Sequence, residues 1–375
     1  MPGGRTPAVS GQANPPRERV APADVPPPPP NSFTILEDAP PGKDFQIRPE
    51  TENANRFLAE IPEEGFDSRS FRIVTPPEQP ESEPEPKQSS QLNPELKIPP
   101  TIEIIESAGF NEDGLPWRIR TQVDGMEMVL VPAGPAVLGT NGGDANTRPQ
   151  LSTEIGSFYM DVHEVTLIQY SRFYQAAANA ARGRKPGKPS NETDPENHPA
   201  LGVTWRDADV YATWCGRAFG GKKLPTEAQW EKAARGTQGY RYPWGTEKPF
   251  WSRSRKPGQI DPVKSFRNDV SIYGIYDLAG NAREWCADWY REDAFQTVVK
   301  TDGAPLADWT GPESGKPEFH HVIKGSATDF VAWRRDHGRS TDQLPGVGFR
   351  CVLPVPQSQS EAAVSRNSVS NGRLR

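Results

Sequence analysis

The sequence has few of the residues that build cross-linked or metal-clustered small domains. Only 3 of its 375 residues are cysteine and only 5 are histidine, and no two cysteines form a C-x-x-C pair. We therefore expect neither a disulfide scaffold nor a structural zinc site. It also lacks any run of 18 apolar residues, so it predicts no membrane-spanning helix. The net charge of -6 gives no reason to expect nucleic acid as a partner.

Proline, by contrast, is abundant, with 41 residues, many of them near the N-terminus. The runs PPPPP (26–30) and PPEQPESEPEP (76–86) contain too little apolar surface to offset the entropy that a chain loses on ordering. We therefore expect residues 1–105 to be disordered and to act as a spacer or a partner-binding tether. Residues 356–375, which are rich in serine and asparagine, are expected to form a second disordered tail.

The most clearly patterned stretch is YGIYDLAGNAREWCADWY, residues 273–290. Gly280 and Asn281 tolerate left-handed backbone, so we expect a turn over residues 277–281. After the turn, Trp285 and Trp289 recur at the period of a half-buried strand. Two tryptophans on one face of a strand bury enough area to anchor a small domain.

Two acidic residues flank this turn. Asp277 precedes it and Glu284 follows it, and the carbonyl groups of Gly280 and Ala282 lie between them. Carboxylate and carbonyl oxygens are the ligands that calcium prefers. The residues alone leave a second interpretation open, in which Asp277 caps the turn and Glu284 pairs with an arginine.

The remaining patterns predict a few helices among short strands. Helices are expected after Thr166, Thr204 and Thr226, because each threonine is followed three residues later by glutamine or aspartate, as in a capping box. Strands are expected at residues 117–122, 126–131, 320–325 and 347–353. This mixture indicates an α+β fold with few helices and long ordered loops.

Several blocks of sequence, taken in order, carry a resemblance to a known family. They are MVLVPAGPAVLGT (128–140), EVTLIQYSRF (164–173), GVTWRDADVYATWCGRAFGGKKLPTEAQWEKAARG (202–236), YPWG (242–245), GNAREWCADWY (280–290) and GVGFRCV (346–352). Together they resemble the formylglycine-generating enzyme, or sulfatase-modifying factor, family over residues 114–355. The resemblance implies that the α+β fold has a C-type-lectin-like core.

Active members of this family are copper-dependent oxidases that convert a sulfatase cysteine to formylglycine. The resemblance implies a Cu(I)-binding cysteine pair just after a G-G-S block, since Cu(I) selects soft thiolates. The corresponding block here is KGSATDFVAWRRDHGR (324–339), which contains no cysteine. Asp329 and Arg334 stand at the two thiolate positions. We therefore expect no copper, and no catalytic residue is assigned.

The resemblance also bears on calcium and on a disulfide. The family's calcium ligands correspond to Asp277, Gly280, Ala282 and Glu284, so we expect calcium there. The family's other calcium site needs an asparagine after the PWG block, and no such residue can be placed here. Family members cross-link the positions of Cys215 and Cys351, which the helix and strand patterns both direct into the core. Two free thiols are the alternative that a reducing compartment would enforce.

Three functions follow from these observations. The leading hypothesis is a non-catalytic, lectin-like module that binds a peptide, protein or glycan in a groove formed by Trp244, Trp309, Trp333 and Arg334. The first alternative is a formylglycine-generating oxidase acting on a sulfatase cysteine. The second is a structural scaffold tethered by the proline-rich segment. An iron-dependent sulfoxide synthase is disfavoured, because the segment before the domain contains no histidine.

The sequence gives opposing indications of the cellular compartment. The disulfide, the calcium site and the family favour an exported or cell-envelope protein. The first residues, MPGGRTPAVSGQANPP, lack the apolar core of a signal peptide, which favours the cytoplasm.

Overall fold

The structure is a computed structural model. It describes residues 47–49, 57–59, 88–89, 91–179, 185–216, 221–249, 251, 254–298, 306–315, 319–326 and 328–355. Most of the predicted N-terminal disordered segment and all of the predicted tail at 356–375 therefore lie outside the described residues. Within residues 1–71, which form a unit of their own, two short strands pair antiparallel.

Sixteen strands and three α-helices are found among the described residues. The strands are β1 (Ile47–Pro49), β2 (Phe57–Ala59), β3 (Gln88–Ser89), β4 (Ile102–Ile104), β5 (Phe110–Asn111), β6 (Arg118–Thr121), β7 (Glu127–Val131), β8 (Gly134–Leu138), β9 (Leu151–Ile155), β10 (Phe158–Asp161), β11 (Arg283–Trp289), β12 (Leu306–Ala307), β13 (His320–Lys324), β14 (Arg335–Arg339), β15 (Val347–Gly348) and β16 (Val352–Pro354). The helices are α1 (Leu167–Asn179), α2 (Trp205–Trp214) and α3 (Glu227–Arg235). Few helices among many short strands confirm the predicted α+β class.

Among the described residues of 72–375, three sheets have three strands or more, and β3 pairs with β5 in a fourth, two-stranded sheet. The largest is antiparallel, with the strand order β16–β10–β7–β6–β4. A four-stranded sheet has the order β14–β13–β11–β15, in which β11 and β15 run parallel. A three-stranded sheet has the order β12–β9–β8. Strand β11, which carries the predicted tryptophans, lies at an inner position of the second sheet.

The three predicted helix starts are confirmed by their caps. The Thr226 hydroxyl accepts the backbone N–H of Gln229, and the Gln229 side chain accepts the backbone N–H of Thr226, which completes a capping box. Thr204 caps α2 through the N–H of Asp207, and the N–H of Thr166 donates to the Gln169 side chain. These contacts satisfy N–H groups that the first turn of a helix leaves unpaired.

Strand β11 is more deeply buried than its alternating pattern predicts. Trp285 and Cys286, which point to opposite faces, are both fully buried. The reason is that helix α3 and the neighbouring strands pack around it, and Trp230 of α3 lies against the same sheet. The turn and the first half of β11 are therefore positioned in the centre of the domain.

Two predicted boundaries are wrong. The strand expected at residues 347–353 is broken into β15 and β16, and between them the backbone N–H of Cys351 donates to the side chain of Asp161 instead of to the backbone of a neighbouring strand. Ordered structure also begins before residue 105, since β4 pairs with β6 and buries Ile102. Among the described residues, no helix has the length and apolar character that crossing a bilayer requires.

Candidate functional site

The predicted turn is held by its own side chains. Asp277 and Asn281 both adopt left-handed backbone, with φ of 62° and 65°. The Asp277 carboxylate accepts the N–H of Lys264 at 2.6 Å, and the Asn281 side chain accepts the N–H of Asp261 at 2.8 Å. Aspartate and asparagine tolerate this conformation because short polar side chains form such local bonds. The turn at residues 277–281 is confirmed.

Glu284, the predicted closing ligand of the calcium cage, is paired with an arginine. Its Oε1 accepts from Nη2 of Arg350 and its Oε2 from Nε, both at 2.7 Å. Trp230 Nε1 donates to Oε2 at 2.9 Å. Both side chains of this bidentate pair are fully buried, so the arginine interpretation left open by the sequence describes Glu284 correctly.

A second arginine is buried beside the turn. The Arg255 guanidinium lies 4.6 Å from the Trp251 ring centroid and 4.4 Å from that of Phe266, and its Nη1 donates to Asp269 at 2.7 Å. Arg255 approaches the turn closely, because a side chain at Gly280 would come within 2.7 Å of its Nη2 atom. A larger residue at position 280 would therefore displace the Arg255 guanidinium from the place it occupies beside the turn.

The buried charges around the turn are not fully paired. Four carboxylates, those of Glu164, Asp269, Asp277 and Glu284, are almost completely buried, and the two guanidinium groups above face them. Burial raises the pKa of Asp277 to about 7, with a further contribution from the charge of Asp269. Burial and the charge of Asp277 raise the pKa of Glu164 well above its usual range. With these raised pKa values, Asp277 and Glu164 take up protons at a higher pH than exposed carboxyl groups do.

The calcium site itself stays a prediction. Among the described residues, no three histidine, cysteine or acidic side chains are grouped so that they could hold a metal ion. The predicted cage uses only two carboxylates, Asp277 and Glu284, and it needs the carbonyl oxygens of Gly280 and Ala282 to complete it. These residues fit calcium by charge and by donor type, and Glu284 would have to share its oxygens with Arg350.

The two positions where thiolates are expected lie in direct contact, but they form an ion pair. Arg334 Nη2 donates to Oδ2 of Asp329, and the Ser326 hydroxyl donates to Oδ1 of the same carboxylate. Burial pushes the pKa of Asp329 upward, yet the hydrogen bonds from Arg334 and Ser326 hold it below its usual range. Both residues are about 40% exposed (39% and 41%). A carboxylate and a guanidinium offer no sulfur ligand for Cu(I).

Aromatic and arginine side chains lie beside the loop that carries this ion pair, since the N–H of Ala332 donates to the carbonyl of Arg241. Arg235 and Arg241 place their guanidinium carbons 5.4 and 5.5 Å from the Trp333 ring. Arg241 also lies over Tyr242, which stacks on Trp244 at 5.1 Å. We call the exposed Arg241 and the half-exposed Trp244, Trp333 and Arg334 the aromatic–arginine face. Three of the four residues predicted for the ligand groove, Trp244, Trp333 and Arg334, belong to it.

Trp309, the fourth predicted groove residue, lies in a different environment. Its ring packs edge-on against Phe295 at 5.3 Å and lines a cavity of about 570 Å³ together with Arg291 and Glu313. Among the described residues, the ring contacts of Trp309 and of Trp333 involve different partners. The groove that the tryptophans predict stays a prediction.

The predicted disulfide is not formed. Cys215 and Cys351 are free buried thiols, as is Cys286. The Cys215 thiol instead donates to Oδ2 of Asp124 at 3.2 Å, and Lys222 donates to the same oxygen at 2.8 Å. Burial raises the pKa of Cys215, so the protonated thiol is the form that this hydrogen bond requires.

Sequence reasoning missed Arg350, Arg255, Glu164 and Arg241. Arg350 lies in the block GVGFRCV. Strand alternation predicts that it points to the face opposite that of Phe349 and Cys351. A signal was present, because an arginine between two core-facing residues, Phe349 and Cys351, needs a buried acid as its partner if it is itself buried. Nothing comparable marks Arg241, whose position over Trp333 depends on the backbone N–H of Ala332 donating to the carbonyl of Arg241.

Residues 117–355 match the domain family described as the sulfatase-modifying factor enzyme 1-like domain. A serine/threonine-protein kinase Pkn1 of Chlamydia trachomatis is 31% identical over 249 residues, covering 61% of this chain and 38% of the relative. A formylglycine-generating enzyme of Thermomonospora curvata is 41% identical over 158 residues, covering 38% of this chain and 48% of the relative. An inactive Cα-formylglycine-generating enzyme 2 of Bos taurus is 38% identical over 171 residues, covering 41% and 50%. This chain therefore spans half or less of each of these three relatives.

Proposed function

The chain belongs to the sulfatase-modifying factor enzyme 1-like family, and from this membership we propose that it is a non-catalytic binding module for a peptide, protein or glycan. The observation that carries the proposal is the Asp329–Arg334 ion pair at the positions of the family's thiolates. An oxidase of this family needs a soft two-sulfur site for Cu(I). Neither side chain supplies sulfur, so we expect no copper at this position.

The aromatic–arginine face gives the module its binding chemistry. Half-exposed tryptophan and arginine side chains are the residues that most often dominate recognition energy at interfaces. Arg241 is exposed, and its guanidinium lies over the rings of Tyr242 and Trp333. A ligand that stacks on Trp333 and presents an acceptor to Arg241 would use both side chains at once.

Two relatives support a role other than oxidation. One carries the word inactive in its name, and another is a protein kinase of which the matched region is a minor part. The domain thus occurs in proteins described by activities other than formylglycine formation. Similarity to formylglycine-generating enzymes favours the oxidase alternative, whereas the absence of cysteine between residues 324 and 339 argues against it.

The proposal is tested by probing peptide and glycan arrays with the labelled full-length chain. We expect a ligand whose signal falls by about tenfold or more in Trp333→Ala, as for the loss of a central aromatic contact. Trp309→Ala is the matched control, because it removes a tryptophan that shares no ring contact with Trp333. Its signal should stay at the wild-type level.

Three outcomes would count against the proposal. Copper-dependent formation of formylglycine would overturn its non-catalytic part. If a ligand binds Trp333→Ala and Arg334→Ala as tightly as the wild type, its binding site does not lie on the aromatic–arginine face. No ligand on either array would favour the tethered scaffold over a peptide- or glycan-binding module.

A further inference from the structure

We infer that His320 and His337 form a two-imidazole binding site for zinc or another divalent metal that prefers nitrogen ligands. The inference does not depend on the proposed function, because neither histidine belongs to the aromatic–arginine face. The two residues lie on the neighbouring strands β13 and β14, and their rings stack with a centroid separation of 4.6 Å and an interplanar angle of 13°. Histidine is the side chain that most often binds metals in proteins.

The register of the sheet brings the two rings together. Strands β13 and β14 pair antiparallel, and His337 lies opposite Val322. His320 lies opposite Arg339 in the same ladder. Because side chains two residues apart on a strand share a face, His320 and His337 are diagonal neighbours on one face of the sheet. Diagonal neighbours are within reach of each other when their side chains are aromatic or long, so one ion can lie within reach of both imidazoles.

Tyr290 restricts the motion of this pair. Its ring stacks on His337 with a centroid separation of 4.2 Å, so His337 has stacked contacts with Tyr290 and with His320. The Tyr290 hydroxyl accepts a hydrogen bond from Asn146 at 3.1 Å, and the Tyr290 N–H donates to the carbonyl of His320 at 2.7 Å. Side chains that are already held in place lose less conformational entropy when they bind a metal.

The charges at the pair favour one shared cation over two separate protons. Two protonated imidazoles at this separation would repel each other, whereas two neutral imidazoles each offer a lone pair to one divalent ion. Arg335, which lies over Tyr290 at 5.1 Å, is paired with Glu227. Arg339, opposite His320, is exposed, so solvent and salt screen its charge.

Two histidines leave coordination positions of the metal open. Structural zinc sites use four protein ligands, and catalytic zinc sites use three and keep one position for water or substrate. Among the described residues, no group of three histidine, cysteine or acidic side chains includes this pair. Water or a donor atom from a second molecule would therefore complete the coordination, unlike in the closed structural zinc site that the few cysteines argue against.

The test is isothermal titration calorimetry of the full 375-residue chain with zinc chloride. The buffer contains calcium, so that calcium rather than zinc occupies any site built from oxygen ligands. We expect one zinc ion per chain. His320→Asn and His337→Asn should each weaken zinc binding by about tenfold or more, because the loss of even an outer-shell partner has an effect of that size.

His198→Asn is the matched control, because it removes a histidine from the loop before α2, where its Nδ1 lies 3.2 Å from the carbonyl oxygen of Pro195. It should bind zinc like the wild type. A wild-type chain that binds no zinc, or either sheet-histidine variant binding zinc as tightly as the wild type, would overturn the inference. If a variant fails to fold, the histidine ring signals in NMR spectra of the wild type decide: zinc should shift those of His320 and His337, and unshifted signals would contradict the site.

Discussion

Two regions of the domain present charged side chains in opposite ways. In the turn–strand unit, residues 277–289, Glu284 is fully buried and is paired with Arg350 from a distant part of the chain. In the loop at residues 326–334, Asp329 and Arg334 pair with each other in partial contact with water. The first region carries the residues at which the family resemblance predicts calcium, whereas the second has a carboxylate and a guanidinium at the positions where it predicts thiolates. The comparison shows that charged side chains of one domain are held in place by buried pairing in one region and by a solvent-exposed pair in the other.

The largest expected difference between the regions is the stability effect of removing an arginine. Arg350→Met should lower the free energy of unfolding by about 3–5 kcal/mol, because it leaves Glu284 as a buried, unpaired charge. Arg334→Met should lower it by about 1 kcal/mol or less, because the pair with Asp329 is solvent-screened. Urea unfolding of both variants measures the difference.

Arg350→Lys serves as a control that keeps the charge but loses the bidentate geometry, and we expect an intermediate loss. If Arg350→Met and Arg334→Met lower the free energy of unfolding by similar amounts, the buried ion pair does not contribute more to stability than the solvent-screened pair, which would contradict this prediction.

Calcium should stabilise the turn–strand unit and leave the loop unaffected. At a calcium concentration about a hundredfold above the dissociation constant, mass action adds about 2.7 kcal/mol to the free energy of unfolding. Glu284→Gln should abolish this gain, while Asp329→Asn should retain it. Thermal melts with calcium and with chelator measure both variants, and a melting temperature indifferent to calcium would speak against the site.

The regions should also respond to pH in different ranges. Burial and the charge of Glu227 raise the pKa of Asp288 to about 7, so the folded state holds a proton that the unfolded chain releases near pH 4. Stability should therefore fall as the pH rises from about 4 to 7, by at most about 1.4 kcal/mol per pH unit from this group. Asp288→Asn should reduce the slope measured in chelator between pH 6 and 7.

The contribution of Asp329 to stability should depend on pH in the opposite direction. Its pKa is lowered in the folded state, so its contribution is present above the unfolded value and is lost only as the pH falls below about 4. Asp329→Asn should leave the slope between pH 6 and 7 unchanged. If Asp288→Asn leaves the pH dependence of the free energy of unfolding unchanged, Asp288 does not titrate in this range, which would contradict the prediction.

Local patterns in the sequence predicted much of the framework. The caps at Thr166, Thr204 and Thr226 were predictable because a cap and its partner are three residues apart. The left-handed turn was predictable because asparagine, here Asn281, tolerates left-handed backbone conformation better than most residues do. These features depend on neighbours along the chain, so no tertiary contact is needed to infer them.

The features that sequence analysis missed depend on distant contacts. Arg350 meets Glu284 across 66 positions, and alternation along a strand cannot reveal such a partner. Trp309 and Trp333 look equivalent in sequence, and only their packing against Phe295 and Arg241 separates them. The disulfide was inferred from family positions, whereas the Cys215 thiol bonds to Asp124 from another part of the chain.

The central claim is that the ion pair of the loop has replaced the catalytic copper ligands. Its most direct test is mass spectrometry of a C-x-P-x-R peptide incubated with the purified full-length chain, copper and oxygen. We predict that the peptide cysteine stays unmodified, at the level of a metal-free control. Formylglycine formed above that control would contradict the claim.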